Sequence, residues 1–108
     1  MFDSIQQHQY LIHIFRQYLA NELVIVDAIG SYGKSFHLSH DNWQFTLPDL
    51  FEFCSKLNPG IATLEYLQFR RLLYQFPTNQ IIAGDGGKFE LIDNLGHVDR
   101  NIYALIRH

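Results

Sequence analysis

Cysteine is nearly absent from this chain of 108 residues: Cys54 stands alone, so no intrachain disulfide can form. That excludes a disulfide-stapled secreted scaffold and makes a reducing, cytoplasmic setting the expectation. Charge is scarce as well, with only 18% Asp, Glu, Lys and Arg against roughly 25% in ordinary domains. Eight Lys and Arg face eleven Asp and Glu, for a formal charge of -3. A duplex-DNA binder typically neutralises about 6 to 10 phosphates, so cations this few and this scattered disfavour nucleic acid as a partner. Long apolar runs are missing too, the longest aliphatic one being Leu23 to Val26. No membrane span is expected, nor a secretory leader, because Asp3 stands where a leader carries positive charge.

What remains is a greasy, aromatic chain. Nine Phe, six Tyr and one Trp help bring the hydrophobic share to 47%. This composition fits one folded domain over residues 1–108 rather than a disordered segment. Six histidines act as a pH lever, since half-protonation of all six would bring the net charge close to zero. The chain is therefore least soluble near pH ~6 to 6.5.

Apolar spacing gives three helices. The first runs from Ser4 to Leu19, with Leu11, Ile12, Phe15, Tyr18 and Leu19 on one side. The second follows Thr46, with Pro48 and Asp49 in its first turn, and ends at Asn58-Pro59-Gly60. The third spans Thr63 to Phe76 and stops at Pro77. Between the first two, Leu23 to Ile29 reads as a buried β-branched strand, and Ser35–Ser39 with Trp43–Phe45 as a hairpin. Gln80–Ala83 and Lys88–Asp93 read as two strands around a Gly84–Gly87 tip, with Ile102–Arg107 as a last strand or a short helix. The expected class is α+β: three helices, a small antiparallel sheet and a C-terminal β-hairpin. The order of elements resembles a winged helix, with the second and third helices as helix-turn-helix and Gly84–Gly87 as the wing tip.

No chemistry-bearing constellation emerges, and the expectation is a non-enzyme with no catalytic residue, cofactor or metal. Ala28 to Ser35 ends in Gly-Lys-Ser and matches a relaxed phosphate loop, but no helix pattern follows Lys34 to aim backbone amides at a phosphate. His37, His40 and His97 lack metal-ligand spacing, and Cys54 lies in an apolar stripe where a thiol is inert.

The leading expectation is a small protein–protein interaction domain, with a homodimer as one form. Arg70, Tyr74 and Leu67 on the third helix are the expected contact residues, joined by Trp43 and Tyr32 near turns, because aromatic and arginine side chains dominate interface centres. The alternative is a winged-helix-like regulator binding nucleic acid through Gln68, Arg71, Gln75 and Lys88, residue types that read base edges or phosphates.

Overall fold

The computed structural model describes residues 4–107. They form an α+β fold of six helices and a four-stranded antiparallel sheet. In chain order these are α1 (Ser4–Leu19), α2 (Leu23–Tyr32), β1 (His37–Leu38), β2 (Asn42–Phe45), α3 (Leu47–Leu57), α4 (Pro59–Ala62), α5 (Tyr66–Gln75), α6 (Thr78–Ala83), β3 (Gly87–Asp93) and β4 (Ile102–Arg107). None of these helices is long and apolar enough to cross a membrane.

The sheet order is β1-β2-β4-β3, every pair antiparallel. Four helices, α3 to α6, separate β2 from β3, while β4 returns between those two strands. That order of elements resembles a winged helix, with α2, β1, α4 and α6 added to it. The wing is the Asn94–Asn101 loop joining β3 to β4, not Gly84–Gly87, which leads from α6 into β3.

Leu23–Ile29 is helical rather than a strand. Its β-branched run carries a second pattern: Ile25, Ile29 and Tyr32 share one helical face, and the first two are buried. Leu23 and Val24 are left outside, the latter 84% exposed. Asn21 makes the break from α1 by adopting a left-handed φ of 58°. Its N–H donates to Tyr18 O, and that of Glu22 donates to Gln17 O, the Schellman pattern of a helix end.

Gln80–Ala83 likewise belongs to a helix, α6, which begins directly after Pro77. The third helix expected over Thr63–Phe76 is α5, over Tyr66–Gln75, and the short helix α4 over Pro59–Ala62 precedes it. Asn58 caps α4 by accepting from Gly60 N–H, and after three intervening residues α5 starts on the reciprocal Glu65–Gln68 capping box.

The core lies between the helices and one face of the sheet. Trp43 sits at its centre, edge-on to Phe15, Phe36, Phe45 and Phe53 at ring-centroid distances of 5.0–6.3 Å. Phe89 and Tyr103 stack at 5.4 Å on the same face of the sheet.

Candidate functional site

Residues of α5 fall on two sides. Phe69, Leu72 and Leu73 are buried, whereas Leu67, Arg70, Arg71 and Tyr74 follow the i, i+3, i+4, i+7 spacing of one outward face. Gln68 and Gln75 are exposed beside them. The expected protein-contact and nucleic-acid strips are therefore neighbours on a single surface.

Several of these side chains are held in place. Gln68 Oε1 accepts from the Glu65 N–H at 2.8 Å, which fixes its amide to the helix start. Arg70 Nη1 lies 3.2 Å from Asp99 Oδ1 of the wing, and the same oxygen accepts from the Tyr66 hydroxyl. These bonds hold the Asp99 carboxyl below the usual carboxylate range, the Tyr66 hydrogen bond acting most strongly and Arg70 adding to it. Tyr74 is 60% exposed, yet its hydroxyl donates to that of Tyr103 at 3.2 Å. Partial burial first, and this bond second, push its phenol up to about 12. Arg71 makes no ion pair among the described residues.

Two concavities meet at Tyr74. A groove of about 510 Å³ runs between the α5–α6 corner and β3, walled by Tyr74, Phe76, Pro77, Phe89, Leu91 and Tyr103. A shallower depression on the other side of Tyr74 is lined by Arg70, Arg71, Gln75 and Val98. The corner at Phe76 and Thr78 is anchored from behind: the buried His8 ring stacks on Phe76 at 4.6 Å, and its Nε2 is 3.1 Å from Thr78 Oγ1.

Two expected contact residues lie elsewhere. Trp43 has no exposed surface and so cannot touch a partner; its place in the middle of β2 turns it onto the inner face of the sheet. Tyr32 is half-buried at the end of α2, packed on Phe36 and Phe53 and bonded to Glu52 Oε1 at 3.1 Å, so it belongs to the α2–α3 junction rather than the α5 surface. Lys88 does not reach a wing tip either. It pairs with Glu90 at 2.9 Å near the start of β3, opposite Ile106 and at the far end of that strand from the wing.

Gly33-Lys34-Ser35 stands at the carboxyl end of α2, the electronegative end of a helix and the reverse of what a phosphate needs. Lys34 Nζ is committed to Glu52 at 2.6 Å. Burial pushes the Cys54 thiol up, away from the thiolate form. Among the described residues, no three His, Cys, Asp or Glu side chains converge as a metal site.

Sequence reading missed Phe89, Leu91, Tyr103 and Asn79 as members of this surface. Alternation along β3 could have grouped Phe89 with Leu91, but Asn79 had no local signal, because its role depends on where α6 docks. No protein family, curated protein or solved structure matches the chain.

Proposed function

We propose that this chain is a non-catalytic protein-interaction domain of the cytoplasm, working through the α5 face and the groove beside β3. The supporting observation is the continuity of Leu67, Tyr74 and Leu91, each 45–60% exposed: Leu67 and Tyr74 share one helical face, and Tyr74 and Leu91 wall one groove. Apolar and aromatic side chains held on rigid elements and bordered by arginines are the composition of an interface centre. A cytoplasmic setting is supported by the single buried thiol.

Photo-crosslinking tests this reading. With p-benzoylphenylalanine in place of Tyr74 or Leu67, discrete protein adducts are expected in the native source, and none when it replaces exposed His13 on α1. A second copy of the chain is one admissible partner and would appear as an adduct of twice the mass. Equal labelling from all three positions would refute the proposal.

The winged-helix-like order of elements supports a second reading, binding of nucleic acid through Gln68, Arg71, Gln75 and Lys88. Against it stand the neutralisation of Arg70 by Asp99 and the distance of Lys88 from the wing. A low-salt gel shift with mixed duplexes is expected to show no retardation, and retardation lost in Arg71→Ala would reverse the preference.

A further inference from the structure

β3 is an edge strand, and its outer edge is half covered. Asn79 of α6 turns its side-chain amide to the Phe89 backbone: Nδ2 donates to Phe89 O at 2.9 Å, and Phe89 N–H donates to Oδ1 at 2.6 Å. Those two bonds are the ones a neighbouring strand would make, so Asn79 acts as a one-residue substitute for it. In an antiparallel ladder every second residue turns its N–H and C=O outward. Phe89 pairs with Leu105 and Leu91 with Tyr103 in one register, so Leu91 is the next outward position toward the wing. No helix among the described residues covers that position, where Leu91 is 45% exposed, and a register shift follows between Leu91 and Asp93. The open donor and acceptor border the apolar groove, and the groove leads past Tyr74 to Arg70 and Arg71.

An exposed edge is ordinarily a hazard blunted by charge, bulges or coverage. Here coverage stops at Phe89 while the groove continues, which leaves a short strand-docking position with a side-chain pocket beside it. We infer that the open half of β3 receives an extended segment of a partner protein by strand addition. One of its apolar side chains enters the groove against Tyr74 and Tyr103, and an acidic side chain follows over Arg70 and Arg71. The charge preference comes from Arg71, which is unpaired among the described residues and stands beside the Arg70–Asp99 pair, while Glu90 in the groove wall is paired with Lys88. This inference rests on the interaction reading above and specifies its partner: an extended apolar–acidic peptide held through main-chain bonds.

The test is selection of random dodecapeptides displayed on phage against the whole chain, followed by fluorescence anisotropy with the synthetic winners. Winners with an apolar residue near an Asp or Glu are expected, weakened by Arg71→Glu. Leu91→Pro removes the outward N–H at an edge position that tolerates proline. It should weaken binding roughly tenfold beyond Leu91→Ala, which shortens the side chain but keeps the donor. A peptide methylated at successive backbone nitrogens repeats the test without altering the protein, and one such position should abolish binding. Peptides that lose affinity in Tyr74→Glu yet ignore both Leu91→Pro and N-methylation would sink strand addition and leave the interaction reading standing. A library that yields no binder, or only binders indifferent to Tyr74→Glu, overturns the inference; the crosslinking above then decides the wider reading by itself. Self-association that is abolished by Leu91→Pro would replace the peptide with a second copy.

Discussion

The guanidinium of Arg107 lies 4.0 Å over the Tyr18 ring and donates from both Nε and Nη2 to the Tyr18 carbonyl oxygen, at 3.2 and 2.8 Å. Its remaining donors reach His40 O and Asn21 Oδ1. One side chain at the end of β4 thus closes the last turn of α1, the left-handed Asn21 corner and the β1–β2 turn together. A cation at a helix carboxyl end also complements the dipole. Arg107→Ala is expected to cost about 2–3 kcal/mol. Arg107→Lys should recover little of it, because an ammonium cannot fan donors over three acceptors. Urea unfolding followed through Trp43 fluorescence measures both, and a loss below about 0.5 kcal/mol for Arg107→Ala would contradict the role given to the guanidinium.

His8 carries the acid sensitivity near neutral pH. It is 3% exposed between Phe76 and Thr78, and burial holds its imidazole below the ordinary value of 6.5. Because the folded state resists protonation while the unfolded state does not, the unfolded chain binds more protons below pH ~6.5. Stability should therefore be full above that value, fall as pH drops through it, and level off beneath the folded-state value. Urea midpoints from pH 8 to 5 read this out. In His8→Gln the midpoint should start lower, for loss of the stack on Phe76, and the slope between pH ~6.5 and 5 should flatten. An unchanged slope would assign the acid sensitivity to other groups.

Much of the architecture was legible from local spacing. The stripe of α1, the Pro48 start of α3, the Pro77 stop of α5 and the alternation of Trp43 with Phe45 all mark elements that are present. Two elements expected as strands are helices, α6 and α2, and in α2 the Leu-Val-Ile-Val start suits a strand by propensity while Ile25, Ile29 and Tyr32 are spaced for a helix. Tertiary packing decided it, because those side chains meet the core only in the helical arrangement. The site was half legible for a related reason: Leu67, Arg70 and Tyr74 declare an outer face by period, whereas Asn79 and Phe89 are joined across ten positions by docking that no local pattern encodes.

The same helix offers a sharp stability test. In a strand, Leu23 and Ile25 would share one face and Val24 and Val26 the other; in the helix, Ile25 is buried and Val24 stands in solvent. Val24→Lys should therefore stay within about 0.5 kcal/mol of the parent, while Ile25→Ala costs about 2–5 kcal/mol. A large loss for Val24→Lys in chemical denaturation would mean that this surface is covered or that the segment is not helical.

Asp99 ties the wing to α5 through two different partners, the Tyr66 hydroxyl and the Arg70 guanidinium. Asp99→Asn keeps the shape but removes the charge that both partners use. The carboxylate is about one-third exposed, so the global cost should be small, about 1 kcal/mol or less. The local effect should be larger: amide exchange at Leu95–Arg100 rises while that of β2 and the inner half of β4 does not. Acid should mimic the substitution. The folded-state value lies below 3.8, so the contribution is full above that value and disappears as pH falls through the folded one, and the wing loosens there in the parent but not further in Asp99→Asn. Releasing Arg70 also bears on the choice of partner. If the α5 face reads nucleic acid, the freed guanidinium should raise low-salt duplex retention; if it reads an acidic peptide, duplex retention stays absent while affinity for the selected acidic peptides rises. Wing exchange unaltered by Asp99→Asn would show that other contacts fix the loop and that Arg70 is not restrained by this carboxylate.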